Sequence, residues 1–174
     1  MAVSLPGDAV RPAAPSPTST TATTPTARQQ FETLRAFMAE LNLLLLRLDG
    51  VCSCAQMTSA QWVYLCAAHR SAKDCSAMDY CLHLLEGTSA LIGNHELFPP
   101  RGPIPGSSLQ YLNSASRRLY RILAHAYFSH RDVWARVEAE SQLTQRFSAF
   151  VLDTRLVPRK LLVIEADQQL QQNS

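Results

Sequence analysis

The sequence has no long uninterrupted apolar stretch, and its run of leucines, Leu43 to Leu46, is flanked by polar residues. A membrane-spanning helix needs roughly 18 or more apolar residues, so no membrane span is expected. Aromatic residues are also few, at 7% of 174 residues. Together with a mean hydropathy close to zero, at -0.07, this content still excludes a fully disordered chain. The length suits one domain.

The sequence also lacks the motifs of common enzyme classes. It contains no glycine-rich phosphate loop, no Gly-x-Ser-x-Gly elbow and no His-Glu-x-x-His helix. The five cysteines are an odd number and occur without a secretory signal pattern, which favours reduced thiols or metal ligation over a disulfide framework. We therefore expect a protein without catalytic activity in the cytoplasm, with the nucleus as the alternative compartment.

The two ends of the chain differ in composition from its middle. Residues 1–26 hold five of the ten prolines and nine Ser or Thr, so they cannot bury enough apolar surface to fold. We predict a disordered tail over 1–26, a folded domain over 27–167 and a frayed polar C-terminus over 168–174. A targeting segment is the alternative for the tail, although Arg11 is its only basic residue.

Helical periodicity dominates the middle of the chain. Thr26 is a suitable N-cap for a helix that ends near Asp49 and Gly50, and the pair Ser76 and Asp79 is typical of a capping box. The second helix is expected to end at Gly93 and to point a set of apolar residues inward: Met78, Leu82, Leu85 and Leu91. The run of β-formers over 62–66 predicts one strand or a small hairpin.

A proline-rich connector over 98–106 separates this half from a second helical half. Ser107 or Ser108 is the expected cap of a long helix, and the amphipathic pattern continues through Val151 until Pro158 ends it. The fold class predicted from these patterns is mostly α with a minor β element.

His125 and His130 lie within the spacing range of zinc ligands, and Cys52 and Cys54 lie far upstream. Residues five apart on an ideal helix differ by about 140° in azimuth. Both imidazoles can therefore meet one metal only if the helix bends or ends there, and the alternative is two histidines on unrelated faces. Of the remaining cysteines, Cys66 and Cys81 are expected to be small buried hydrophobes, with a nucleophilic Cys66 and His69 pair as the alternative.

Arg117, Arg118 and Arg121 fall within a roughly 100° arc of the long helix, opposite its apolar stripe. Such a cluster can hold a phosphate through bidentate hydrogen bonds, whereas the alternative is a solvated face. The surrounding stretch 117–160 carries nine Arg or Lys against four Asp or Glu. This excess favours an anionic partner only if it is focused on one face. Nucleic acid is disfavoured because Tyr120 is the only aromatic residue interleaved with the arginines and the pI of about 8.3 is below the usual basic footprint.

Several strings taken together resemble the Mob family of kinase-associated adaptors, and most of all its phocein branch. The strings are CAQM (54–57), QWVYLCAAH (61–69), CSAMDY (75–80), LFPPR (97–101), SRRLYRILAHAYFSHRDVW (116–134) and QRFSAFV (145–151). The match runs in order from Phe31 to Ile164. The resemblance implies a noncatalytic helical bundle that holds a structural zinc through two cysteines and two histidines.

The resemblance assigns the metal ligands as His125, His130, Cys54 and Cys52. The family separates its two cysteines more widely than Cys52 and Cys54 are separated here, so this loop is shorter than in the family. A Cys-x-Cys pair can still ligate one metal from an extended backbone, because alternate side chains share a face. Arg117, Arg118 and Arg121 match a basic pocket that binds phosphothreonine segments in family members.

The family also implies the partners. Phocein-like proteins resemble subunits of striatin-type assemblies that join type 2A phosphatase to kinases, whereas conventional members activate NDR-type kinases through an acidic surface. The first helix here offers Glu32 and Glu40 before Asp49, which favours the phocein-like function. The alternative of another class is a metal or thiol enzyme that uses Cys54, His125 and His130, with Asp132 as the only nearby acid.

Overall fold

The computed structural model describes residues 25–172, so most of the predicted tail and the last two residues lie outside the described chain. The prediction of a mostly α fold with a minor β element is confirmed. The described chain contains six α-helices and one two-stranded sheet, in the order α1 (Ala27–Leu48), β1 (Thr58–Ser59), β2 (Trp62–Val63), α2 (Ala77–Ile92), α3 (Leu109–Ser129), α4 (Arg131–Ser141), α5 (Leu143–Asp153) and α6 (Val163–Gln172).

Helix α3 is the axis of the domain and packs against α1, α2, β1, α4, α5 and α6. Every residue from Ile122 to Tyr127 is buried. A helix that is buried on all sides belongs in the centre of a core, and α3 therefore organises the elements around it. Arg121, half-buried, lies at the edge of this stretch.

Helix α1 begins where the capping residues predict. Gln29 N donates to Thr26 Oγ1 at 3.2 Å, and Thr26 N donates to the Gln29 side chain at 2.7 Å, which completes a capping box. The helix ends at Leu48, as expected. Its apolar face is buried along its whole length, from Phe31, which stacks on Phe98, to Leu48.

Helix α2 has the predicted bounds, but one predicted core position is wrong. Ser76 caps it by accepting a hydrogen bond from Asp79 N at 3.1 Å. Leu82 is 46% exposed, whereas Leu85 is 8% exposed. The buried face instead includes Tyr80, Cys81 and Leu84, because α2 packs against both α1 and α3.

The predicted β element is a small hairpin. Thr58 pairs with Val63 and Ser59 pairs with Trp62 in antiparallel register. The strands leave their apolar residues Trp62 and Val63 exposed, so the hairpin contributes little to the core. An isolated antiparallel bridge between Cys66 and Lys73 follows it.

The second helical half is interrupted where the periodicity did not indicate a break. Gln142 has a left-handed φ of 51° and separates α4 from α5. The Glu138 carboxylate accepts hydrogen bonds from Thr144 N at 2.8 Å and Gln145 N at 3.0 Å, which satisfies the free N–H groups at the start of α5. Ser108 precedes α3, but its hydroxyl donates to Leu97 O at 2.6 Å and does not cap the helix.

The C-terminal part of the domain is tied to α3. Ile164 N donates to the Tyr120 hydroxyl at 3.1 Å, and α6 continues to Gln172, past the predicted boundary at residue 168. Among the residues that the structure describes, no helix is both long and apolar enough to cross a membrane.

The two faces of α2 give a test of this packing. Leu85→Ala should lower the free energy of unfolding by about 2–5 kcal/mol because it leaves a cavity in the core. Leu82→Ala is the matched control and should change it by no more than about 0.5 kcal/mol. Urea unfolding followed by circular dichroism measures both, and equal losses for the two variants would contradict the orientation of α2.

Candidate functional site

The four residues expected to ligate a metal meet in one place, which we call the first cluster: Cys52, Cys54, His125 and His130. Cys52 Sγ lies 3.6 Å from His125 Nε2, and Cys54 Sγ lies 3.5 Å from His130 Nε2. All four ligand atoms lie within 4.8 Å of one another.

The end of α3 brings the two histidines together. His125 is in the last turns of the helix, and His130 is its C-cap, with φ −138° and ψ 55°. Their ring centroids are 5.3 Å apart. The spacing allows one metal only where the helix bends or ends, and the helix does end at this point.

The shortened loop still presents both thiols. Cys52 N donates to Leu48 O at 2.8 Å, which continues from the end of α1, and Ala77 N donates to Cys54 O at 3.0 Å. Both cysteines are half-buried. The loop is therefore anchored to α1 on one side and to the start of α2 on the other.

The geometry of the first cluster fits a tetrahedral zinc ion. Bond lengths of about 2.3 Å to sulfur and about 2.0–2.1 Å to nitrogen place neighbouring S and N atoms about 3.5–3.6 Å apart. The two S to N distances of 3.6 and 3.5 Å match this value. Two thiols and two imidazoles form a donor set typical of closed structural zinc sites.

A backbone carbonyl orients His125. The ring Nδ1 lies 2.8 Å from Thr58 O, and because a carbonyl only accepts, Nδ1 carries the proton and Nε2 is free to ligate. Burial lowers the pKa of His125, and nearby His130 lowers it further, which favours the neutral imidazole that metals require. Burial raises the pKa of the Cys52 thiol, so metal binding here would release a proton.

Asp132 does not serve the first cluster. It is exposed and pairs with Arg136 at 3.4 Å across one turn of α4. A catalytic zinc site keeps an open position and a nearby general base. Within the described chain, the first cluster offers four candidate ligands and no such base, so its arrangement does not support the enzyme hypothesis.

The three predicted arginines line one cavity of about 550 Å³, which we call the basic cavity. Lys160 adds a fourth cation, and Trp62 and Tyr64 form an aromatic wall. These three residues were not predicted to be part of the site. They come from the hairpin and from the turn before α6, so only the tertiary fold places them beside the arginines.

The arginines of the basic cavity differ in exposure. Arg117 and Arg118 are exposed, as predicted, and Arg118 donates to Ser114 Oγ at 2.8 Å. Arg121 is half-buried, so it is less accessible than the other two arginines. It donates to the Tyr80 hydroxyl at 2.5 Å, and its guanidinium carbon lies 4.3 Å from the centroid of the Tyr64 ring.

The positive charge of the stretch 117–160 is partly focused on this cavity. Four of its other cations form ion pairs: Arg131 with Asp167, Arg136 with Asp132, Arg146 with Glu40 and Arg159 with Glu165. Within residues 25–172, the four cations of the basic cavity have no carboxylate partner. The excess charge therefore concentrates in the cavity.

The other cysteines differ from one another. Cys81 is buried as predicted and its Sγ contacts Met57 Sδ at 4.0 Å. Cys66 is also buried, but its Sγ faces His83 Nδ1 at 3.5 Å, while His69 faces Cys75. His83 was missed because it lies within the apolar pattern of α2, although Cys66-x-x-His69 is a ligand spacing that the sequence displays.

The fold and these sites define a helical domain with a Cys/His cluster and a basic cavity beside one buried helix. The sequence pattern of the Mob1/phocein family matches residues 26–162. MOB kinase activator-like 4 of Drosophila melanogaster is 44% identical over 139 residues, which cover 78% of this chain and 62% of that relative. The chain belongs to the Mob1/phocein family.

Two further relatives are similar over different lengths. MOB-like protein phocein of Caenorhabditis elegans is 39% identical over 151 residues, covering 83% of this chain and 68% of its own. Maintenance of ploidy protein mob1 of Schizosaccharomyces pombe is 37% identical over 82 residues, covering 46% of this chain and 39% of its own. The aligned region thus spans about two thirds or less of the length of these relatives.

Proposed function

We propose that the protein is a noncatalytic adaptor of phosphorylation signalling that binds phosphothreonine segments of partner proteins in the basic cavity. The observation that carries this proposal is a set of cations in one cavity that have no carboxylate partner among residues 25–172: Arg117, Arg118, Arg121 and Lys160. Guanidinium groups bind phosphate through paired, charge-assisted hydrogen bonds.

The aromatic wall adds recognition of the peptide around the phosphate. Trp62 is 55% exposed beside the cavity, so it can cover apolar side chains of a bound segment. Arg121 is held by Tyr80 and Tyr64 before any ligand arrives. A preordered guanidinium loses less conformational freedom on binding than a mobile one, which favours affinity.

We propose that the protein takes part in a phocein-like assembly in the cytoplasm. Its partners there would be a striatin-type scaffold, type 2A phosphatase and kinases. Relatives named phocein and MOB kinase activator-like 4 support it. The alternative, activation of NDR-type kinases, would use an acidic surface on α1. There Glu32 pairs with Arg35 at 3.0 Å, and Glu40 pairs with Arg146, so these acids are already neutralised.

The first cluster is proposed as a structural zinc site. Its ligands come from the loop after α1 and from the C-terminal end of α3, so a bound ion would join the two elements. The distances and the paired thiols and imidazoles support zinc over the hard cations that prefer oxygen ligands. Zinc held by four protein ligands stabilises the fold and does not activate water.

Phosphopeptide binding tests the basic cavity. Arg117→Ala combined with Lys160→Ala should weaken binding of a phosphothreonine peptide at least about tenfold, because each lost charged hydrogen bond is worth about 1.5–3 kcal/mol. The control is Arg35→Ala combined with Arg136→Ala, which removes the same charge from exposed positions elsewhere. Calorimetry with the phosphorylated and unphosphorylated peptides measures both, and equal affinities for the two double variants would contradict the proposal.

Metal content tests the first cluster. Cys54→Ser should bind one equivalent of zinc less than the unchanged chain and should melt at a lower temperature, since a structural ion contributes to folding. Cys81→Ala is the control and should keep the full metal content. Mass spectrometry of the metal and thermal unfolding measure these quantities, and an unchanged zinc content in Cys54→Ser would refute the site.

A further inference from the structure

Four other cysteine and histidine side chains meet beside α2, in what we call the second cluster: Cys66, His69, Cys75 and His83. Cys66 Sγ lies 3.5 Å from His83 Nδ1, and His69 Nε2 lies 3.0 Å from Cys75 Sγ. Cys75 Sγ is also 4.0 Å from His83 Nδ1. All four ligand atoms lie within 4.8 Å of one another, and the second cluster shares no residue with the first.

The loop that carries the second cluster has little else to hold it. Between Cys66 and Cys75, every residue except His69 is exposed, so the loop buries almost no apolar surface. Cys66 and Lys73 exchange backbone hydrogen bonds of 2.8 and 3.2 Å, which close the loop on itself. Because hydrophobic stabilisation scales with buried apolar area, the four side chains of the cluster are the groups that can fasten this loop to α2.

The donor set of the second cluster indicates the ion. Two thiols and two imidazoles, without a carboxylate, suit zinc in tetrahedral coordination and do not suit calcium or magnesium. Neighbouring sulfur and nitrogen ligands of such an ion are about 3.5–3.6 Å apart. The three distances of 3.0, 3.5 and 4.0 Å bracket this value, so small side-chain rotations bring the atoms to ligand positions.

We propose that Cys66, His69, Cys75 and His83 bind a second structural zinc ion. Three ligands come from residues 66–75 and the fourth comes from α2, so the ion clamps the loop onto that helix. With four protein ligands the site is closed, which makes it structural and not catalytic. The site also accounts for the thiols of Cys66 and Cys75, so neither thiol needs a nucleophilic role.

The second site lies beside the partners of Arg121. Cys66 follows Tyr64 by two residues, and His83 follows Tyr80 by about one turn of α2. A cavity of about 430 Å³ contacts both Cys66 and His83 and is also lined by Tyr80, Arg118 and Arg121. The ion therefore fixes the two backbone segments that carry the aromatic partners of Arg121.

Zinc counting on the full chain tests the proposal. The protein is purified in zinc-containing buffer and desalted, and the metal is then counted by mass spectrometry. We expect two equivalents in the unchanged chain and one in Cys75→Ser and in His83→Ala. The matched controls Cys81→Ala and His95→Ala should keep two, because Cys81 packs against Met57 and belongs to neither cluster, and His95 is exposed in a turn.

The two metal sites are told apart by combining variants. The double variant Cys54→Ser with Cys75→Ser should bind no zinc. If the unchanged chain binds one equivalent, and this equivalent is lost in Cys75→Ser but kept in Cys54→Ser, the result would support the second site alone. Native mass spectrometry of the unchanged chain, with mapping of cysteines protected from alkylation, gives the answer if a variant fails to fold. A single equivalent that Cys75→Ser does not change, or a disulfide between Cys66 and Cys75, would overturn the proposal.

Discussion

The burial of α3 determines where both candidate sites lie. Every residue from Ile122 to Tyr127 is inside the core, and His125 takes part in the first cluster from within this buried stretch. The arginines lie before it and His130 lies after it. With a rise of about 1.5 Å per residue, Arg121 and His125 are about 6 Å apart along the axis. One rigid helix thus positions the basic cavity and the first cluster together.

Local sequence signals predicted the helices and their caps, whereas tertiary packing determines which side chains are buried and where α4 ends. Thr26 and Ser76 were identified as caps because their side chains bond within their own first turn, which needs no other part of the chain. Leu82 was misassigned because α2 packs on two helices at once, and a periodic pattern does not reveal which apolar residues face them. The break at Gln142 depends on Glu138, whose role requires α5 to be in place.

The candidate sites were predictable to the extent that their residues lie close in the chain. His125 and His130 are five residues apart, and the three arginines share one helix, so spacing alone was informative. Lys160 and Trp62 are far apart in the chain and meet only in the fold. The second cluster was not predicted from the sequence, for a different reason. His83 lies among the apolar residues of α2, where a histidine does not suggest a partner for a cysteine in the preceding loop.

The hairpin connects the two proposed metal sites to the basic cavity. Trp62, Val63 and Leu65 are all more than half exposed, at 55, 53 and 54%, so the tip of this segment contributes little to the core, although Ser59 is buried. Its ends are fixed by Thr58 O bonded to His125 of the first cluster and by Cys66 of the second.

The two proposals together imply that metal binding and anion binding are linked in this domain. An ion in either cluster would restrict the hairpin and therefore the position of Trp62 and Tyr64, which form one wall of the basic cavity. If that restriction favours the bound phosphate, thermodynamic reciprocity requires the phosphate to favour the bound ion by the same factor. The linkage would act through the hairpin, and a chain without zinc is therefore expected to lose affinity for the anion.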